Sequence, residues 1–186
     1  MGSLSLPPQP DQAERTLTKP RLSVSVNHVD ELSPEWRELM KLSTRGRYGA
    51  RALVDLALRY GEGPLLLRDI AKRQDISEHY LEHLCILLKA AGIIKSIRGA
   101  RGGVALAKPP SEIRLSEVIQ TLEGSTAPVE CVNDAKICQR SASCATRDIW
   151  GRIRNAIDEV LESTTLQDLA ERQREKEKNE SVMYYI

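Results

Sequence analysis

Between positions 67 and 92 two runs with helical apolar spacing, LRDIAKRQ and EHYLEHLCILLKAAG, stand only three residues apart, separated by Asp75-Ile76-Ser77. So short a connection brings the second helix across the first, which is helix-turn-helix spacing. Ser77 is placed to cap the second helix and Gly92 to end it. Leu81, Leu84, Leu87 and Leu88 face the core by their spacing. Cys85 lies among them as a small buried hydrophobe rather than a ligand.

Immediately afterwards come two short β-prone runs, 93–97 and 104–107, on either side of Arg98-Gly99-Ala100-Arg101-Gly102-Gly103. They predict a hairpin with a Gly/Arg-rich tip. Upstream, Ser43 or Thr44 can cap a helix carrying Tyr48, Ala52, Leu53, Leu56 and Ala57 at three- and four-residue steps, until Gly61-Glu62-Gly63-Pro64 breaks the pattern. The expected fold is therefore mainly α with a small β-hairpin wing, a winged helix-turn-helix spanning 40–108.

After Pro109-Pro110, Leu115, Val118, Ile119 and Leu122 mark a short helix ended by Gly124, and a cysteine-bearing loop follows, so 109–144 reads as helix plus loop. Over 145–169, Ile149, Trp150, Ile153, Ile157 and Leu161, with Val160 at the edge, form one apolar stripe on a long helix. A small winged domain leaves such a stripe uncovered, so it is expected to pack on a partner helix. Residues 170–186 read as a charged, solvated tail, and the proline-rich residues 1–39 as a disordered extension. There are no internal repeats.

Charge is distributed unevenly. The chain has 186 residues and a formal net charge of +1. Yet positions 40–108 hold 13 Lys/Arg against 6 Asp/Glu, a local excess of +7, while positions 109–186 hold 10 against 14, or −4. A basic block in a neutral chain is the footprint of a phosphate-binding face. No apolar run approaches the roughly 20 residues of a membrane span, and no basic segment followed by an apolar one opens the chain. A cytoplasmic, reducing location is expected, and with it free thiols rather than disulfides.

In a helix-turn-helix the second helix enters the major groove with its N-terminal residues nearest the base edges. Here these are Ser77, Glu78, His79, Tyr80, Glu82 and His83. Glu82 is the informative one, because a carboxylate on that face is repelled by phosphate and is useful chiefly as an acceptor from cytosine N4. In the wing, Arg98, Gly99, Arg101 and Gly102 combine close backbone approach with an arginine that suits a narrow minor groove. Arg45, at the start of the first helix, joins them as a candidate phosphate contact. Double-stranded DNA is the expected partner. His79 and His83 have no acid–base or nucleophile constellation around them, so no enzymatic activity is expected.

Cys131, Cys138 and Cys144 are spaced C-x6-C-x5-C, and Cys144 falls at a helix N-terminus, where the dipole favours a thiolate. Three soft ligands in one loop suit an iron–sulfur cluster or zinc. Structural zinc sites use tighter cysteine pairs, which places the cluster first, zinc second and redox or incidental thiols third.

Met40-Lys-Leu-Ser-Thr-Arg-Gly-Arg-Tyr-Gly-Ala-Arg-Ala-Leu, Ile76-Ser-Glu-His-Tyr-Leu-Glu, Ser96-Ile-Arg-Gly-Ala-Arg-Gly-Gly and the three cysteines before Thr146-Arg-Asp-Ile-Trp150 together resemble the Rrf family of winged-helix regulators, which includes IscR, NsrR and CymR. The likeness runs from Met40 to about Leu169. It implies a homodimer joined through the long helix, two winged domains on a near-palindromic operator, and Cys131, Cys138 and Cys144 as ligands of a cluster, 2Fe-2S rather than 4Fe-4S. The Glu82 context resembles the IscR group, implying control of iron–sulfur cluster assembly genes. The alternative within the same fold is a regulator responding to nitric oxide or to thiol oxidation. The resemblance does not supply a fourth ligand. Where the IscR pattern has a histidine this chain has Arg147, and where the NsrR pattern has an acidic residue it has Arg47. Asp148 is a candidate from the same turn.

Overall fold

The computed structural model describes residues 42–99 and 102–183. The expected disordered extension, 1–39, and the wing residue Arg101 lie outside them. Seven helices and one hairpin follow in order: α1 (Thr44–Leu58), α2 (Leu67–Gln74), α3 (Glu78–Ala90), β1 (Ile94–Ile97), β2 (Gly103–Leu106), α4 (Leu115–Glu123), the one-turn α5 (Glu130–Asn133), α6 (Ala145–Ser163) and α7 (Leu166–Met183). This is the mainly helical winged architecture that the apolar spacing predicts.

Ser43 caps α1 by accepting the Arg45 N–H at 3.0 Å, and Ser77 caps α3 by accepting from Tyr80 at 3.4 Å. Asp75 takes a left-handed conformation (φ 51°) that stops α2 and turns the chain into α3. Leu53, Ile70, Leu81, Leu84, Leu88, Ile93, Ile113, Val118 and Leu166 are almost wholly buried and form the centre of the core. Cys85 is buried with them, as its position on the α3 stripe predicts. Leu87 departs from its expected place in the core. It lies off the stripe defined by Leu81, Leu84, Cys85 and Leu88, and is 39% exposed.

Two glycines let α4 settle on α1. A Cβ at Gly49 would stand 2.2 Å from Leu122 Cδ1, and one at Gly46 2.4 Å from Glu123 Oε1. That same carboxylate oxygen accepts the Gly46 N–H at 2.8 Å and the Ser43 hydroxyl, so Glu123 closes the positive end of α1 from 77 residues away.

In the wing, β1 and β2 pair antiparallel from Ile94↔Leu106 to Ile97↔Gly103, and Leu65 adds a bridge to Val104 through two backbone hydrogen bonds of 2.9 and 2.8 Å. The backbone at Leu65 passes so close to Gly103 that a Cβ there would lie 2.2 Å from the Leu65 carbonyl oxygen, at a φ of +159°. Neither backbone atom can yield. Gly103→Ala is therefore expected to destabilise the domain by about 1–3 kcal/mol, measurable as a lower midpoint in urea with an unchanged m-value.

The C-terminal part departs from the sequence expectation. The long helix does not run through 145–169. It stops at Ser163, where the chain pairs with the segment before α4: Leu115 N–H donates to Thr164 O, and Leu166 N–H to Ile113 O. Thr165 and Asp168 then open α7 reciprocally. Asp168 Oδ2 accepts the Thr165 N–H and hydroxyl, while the Asp168 N–H donates to Thr165 Oγ1. These bonds hold the Asp168 carboxyl below its ordinary range. The segment expected to be a solvated tail is thus helical. The first turn of α7, at positions expected to continue the long helix, docks with Leu166 fully buried; within 170–186 Ala170 is fully buried and the Arg174 guanidinium donates to the Leu58 carbonyl, while residues 171–179 are exposed.

Candidate nucleic-acid face and cysteine loop

The N-terminal half of α3 stands out from the domain. His79, Glu82 and His83 are exposed, the side chains of His79 and Glu82 being 81% and 57% accessible. Ser77 and Glu78 are exposed beside them. Tyr80 differs from its neighbours. It is half-buried, meets Tyr48 edge-on with ring centroids 6.0 Å apart, and its hydroxyl lies 3.2 Å from Thr44 Oγ1. Tyr80 therefore ties the start of α3 to the start of α1. This contact carries the exposed Arg45, Arg47 and Arg51 to the same side as the α3 N-terminus, with Arg47 and Arg51 flanking the Tyr48 ring at 5.8 and 5.7 Å.

The wing tip supplies Arg98, which is exposed, and a tight turn in which the Gly102 N–H donates to Gly99 O at 2.9 Å. Gly99 has φ +119°, and a Cβ at Gly102 would stand 2.4 Å from the Ile97 carbonyl oxygen. The turn itself requires both glycines, whatever the wing touches. The cationic side chains of the basic block are spread over α1 (Arg45, Arg47, Arg51), α2 (Arg68, Lys72, Arg73) and the wing (Lys95, Arg98), and Arg51 also donates to Gln74 at the end of α2. Arg59 and Arg73, counted in the same block, are instead committed to Asp55.

The cysteine loop follows α4 in the chain, and its one-turn α5 lies against α6. Cys131 sits in α5, Cys138 ends a single 3-10 turn at Ala135–Ile137, and Cys144 is the N-cap residue of α6. All three are half-buried free thiols. No residue of α5, of that turn or of a second 3-10 turn at Ser141–Ser143 is buried, so side-chain packing gives the loop little to hold it. Arg147 supplies one tie, donating through Nε to the Cys131 carbonyl at 2.8 Å. The position searched for a fourth ligand thus holds a cation with no lone pair to offer, engaged in fastening α5 to α6. Arg47, the other such position, stacks on Tyr48.

Cys144 Sγ lies 3.1 Å from Thr146 Oγ1. The Thr146 hydroxyl, followed by the Arg147 backbone N–H, holds this thiol below its usual range, whereas burial pushes Cys85 up to about 11. Only the thiolate alkylates readily. In metal-free protein at pH 7, iodoacetamide is expected to modify Cys144 while sparing Cys85 until the chain unfolds. Thr146→Ala raises the Cys144 pKa and slows that reaction, which a mass-spectrometric time course reads directly.

Among the described residues, no group of three or more His, Cys, Asp or Glu side chains is gathered to hold a metal ion. The three thiols have the right chemistry for a soft metal or an iron–sulfur cluster, but the loop does not hold them preassembled. A signal in the sequence could have found Thr165 and Asp168, whose Thr-x-x-Asp spacing marks a helix start. Glu123 and Asp55 carry no local signal of their roles.

No described helix is long and apolar enough to cross a membrane. The family model described as Rrf2, iron-dependent transcriptional regulator, matches residues 42–172. The chain is 46% identical to the HTH-type transcriptional regulator CymR of Bacillus subtilis over 147 residues, which are 79% of this chain and all of the relative. Among solved structures, that of CymR, "the Global Cysteine Regulator of B. subtilis", is similar at 47% identity and a TM-score of 0.61, covering 70% of this chain and 96% of the other. "T. potens IscR" is similar at 40% identity and 0.63, covering 73% and 90%. These relatives are named as transcriptional regulators and not as enzymes. The match spans the winged domain, the cysteine loop and α6 of this chain, and the chain belongs to the Rrf2 family of transcriptional regulators.

Proposed function

We propose that the chain acts as a homodimeric, operator-binding transcription regulator whose signal enters through the loop bearing Cys131, Cys138 and Cys144. An iron–sulfur cluster, 2Fe-2S rather than 4Fe-4S, is the group those thiols hold. The observation that carries this reading is the position of the loop. It joins α4, which is packed on α1, to α6, a 19-residue helix without one buried residue.

Each face then has a task. Glu78, His79, Glu82 and His83 meet base edges in the major groove. Ser77 presents the helix start, and Tyr80 sets its angle from behind. Arg98, Gly99, Arg101 and Gly102 of the wing lie along the adjacent backbone or minor groove, and Arg45 takes a phosphate. The α6 stripes of two chains pack on each other and place the two α3 helices on a near-palindromic site, roughly 34 Å or a multiple of it apart. A bound cluster supplies a redox- and iron-sensitive link among the three thiols. The rest is the work of the chain: with the thiols held, the loop becomes ordered, since ligand binding and local folding are coupled. Arg147 and the Thr126 to Asp158 hydrogen bond then pass the loop's position to α6. The family model's description as iron-dependent and the likeness to IscR support the cluster and the control of cluster-assembly genes as the regulated function.

A second reading keeps the fold and makes the thiols themselves the switch. It is favoured by the lowered Cys144 pKa, by three thiols not gathered for metal, and by the likeness to CymR. One experiment separates the two: protein purified without oxygen is examined by visible absorption, with iron and acid-labile sulfide assayed on the same sample. Broad visible absorption with matched iron and sulfide carries the first reading. A colourless protein that takes up neither on reconstitution overturns it and leaves the thiol switch.

A further inference from the structure

One pair of side chains on α3 has a geometry that base reading does not require. His79 and His83 stand one turn apart, their rings are edge-to-face with centroids 4.6 Å apart, and their Nε2 atoms are 3.2 Å apart. A tetrahedral zinc with Zn–N bonds of about 2.0–2.1 Å holds two nitrogen ligands roughly 3.3–3.4 Å apart. The two nitrogens are therefore already at nearly the separation that a shared cation imposes. Both are exposed, so a cation can reach them.

A second observation points the same way. The Glu82 carboxylate is 3.6 Å from His79 Nδ1, on the side of the ring away from His83. A carboxylate there suits the Nδ1–H tautomer, in which the Nε2 lone pair of His79 accepts from His83 Nε2 or, once that proton is displaced, binds a cation. This is the outer arrangement that accompanies metal-bound histidines, fixing the tautomer and raising the ligand's basicity. His79-Tyr80-Leu81-Glu82-His83 also has the His-x-x-Glu-His spacing by which one helix face offers two nitrogens to zinc. Enzymes built on that spacing need a third protein ligand, and among the described residues no group of three is assembled. What remains is a binding site and not a hydrolytic one.

We propose that His79 and His83 form a two-nitrogen site for a borderline divalent cation such as Zn2+, with Glu82 as its outer carboxylate, on the exposed face of α3. Imidazole pairs select zinc, nickel or copper over magnesium and calcium, which prefer oxygen ligands. The remaining coordination positions point to solvent and take water. The site stands on side-chain geometry alone and does not depend on α3 reading DNA, so either can fail without the other. Under the proposed function, its occupancy withdraws the same three side chains from base edges.

The test is equilibrium dialysis of the full-length protein against micromolar Zn2+, with bound zinc counted per chain by mass spectrometry and folding checked by circular dichroism. Zinc held by the cysteine loop is common to every variant and cancels in the comparison. His79→Ala and His83→Ala should each bind one zinc fewer per chain than the wild type. Glu82→Gln should keep the site but weaken it 10- to 100-fold. Because both histidines are exposed, their replacement leaves the core untouched. An unchanged zinc count in either histidine variant would overturn the proposal, as would wild-type zinc affinity in Glu82→Gln.

Discussion

Ile157→Asp is expected to split the proposed dimer while leaving each chain folded. Ile157 lies on the α6 stripe with Ile149, Trp150, Ile153 and Leu161, and in the single chain it is 39% exposed, with Ile149 and Val160 at 48% and 63%. No residue of α6 is buried in its own chain, so the substitution removes nothing from the core. In a two-fold dimer each replacement is felt twice, because the same patch serves both partners. Each lost isoleucine contact accounts for about 1.5–3 kcal/mol, before the penalty of bringing an unpaired carboxylate into the interface. Two copies give at least about 4 kcal/mol, a dissociation constant weakened about a thousandfold or more. Sedimentation equilibrium should show a monomer at concentrations where the wild type is dimeric, with matching far-ultraviolet circular dichroism. Arg152→Asp, on the exposed polar side of the same helix, should leave the dimer intact. Equal effects from the two substitutions would remove the stripe from the interface. Operator affinity should fall with Ile157→Asp, since one winged domain alone reads only one half-site.

The parts of this molecule that sequence reasoning reached are those whose signals are local. Helices α1 to α3 repeat apolar residues at three and four steps; α1 and α3 begin at serines, and both of those caps are in place. The wing was legible because glycine clusters between β-prone runs have few other uses. Cys85 was legible as core because its spacing from Leu81, Leu84 and Leu88 is that of one face. Leu87 stands a three-residue step from Leu84 but falls at the edge of that face, where the core does not reach it.

Long-range ties were invisible for the opposite reason. Nothing near Glu123 announces that it closes α1, and nothing near Gly46 or Gly49 announces that their missing side chains make room for α4. The docked first turn of α7 falls where the apolar pattern reads as a continuation of the long helix, although the Thr165 and Asp168 spacing marks a new start. The cysteine loop is a mixed case. Spacing and residue type identify the donors and their chemistry, but their arrangement depends on what binds them, and the sequence records only the donors. Arg147 shows the limit. In the family pattern its position is that of a missing ligand, and in the structure it has a different task, fastening Cys131 to the start of α6.

Asp55→Ala should be the most destabilising single change among the polar residues described here. Asp55 is 2% exposed and lies between two guanidinium groups: Arg59 one turn on, at 2.7 Å, and Arg73 of α2, which reaches both carboxylate oxygens at 2.6–3.1 Å. The carboxylate in turn holds the Arg73 pKa above its ordinary value. This hub pins α2 to α1, and α2 sets the angle of α3 through the turn at Asp75. Removing one partner of a buried pair costs about 3–5 kcal/mol where the other charge is left stranded. Here both arginine side chains are about one-third exposed and water screens them once released, so about 2–4 kcal/mol is expected. Single replacements of the arginines should cost less, because each leaves the carboxylate with a partner. Arg73→Ala keeps the Arg59 contact, and Arg59→Ala keeps the two-oxygen contact of Arg73. The order Asp55→Ala, then Arg73→Ala, then Arg59→Ala in thermal and urea denaturation therefore measures how the hub is shared. If Arg73→Ala were as costly as Asp55→Ala, the Arg59 contact would contribute nothing, and α2 would be held by the Arg73–Asp55 pair alone.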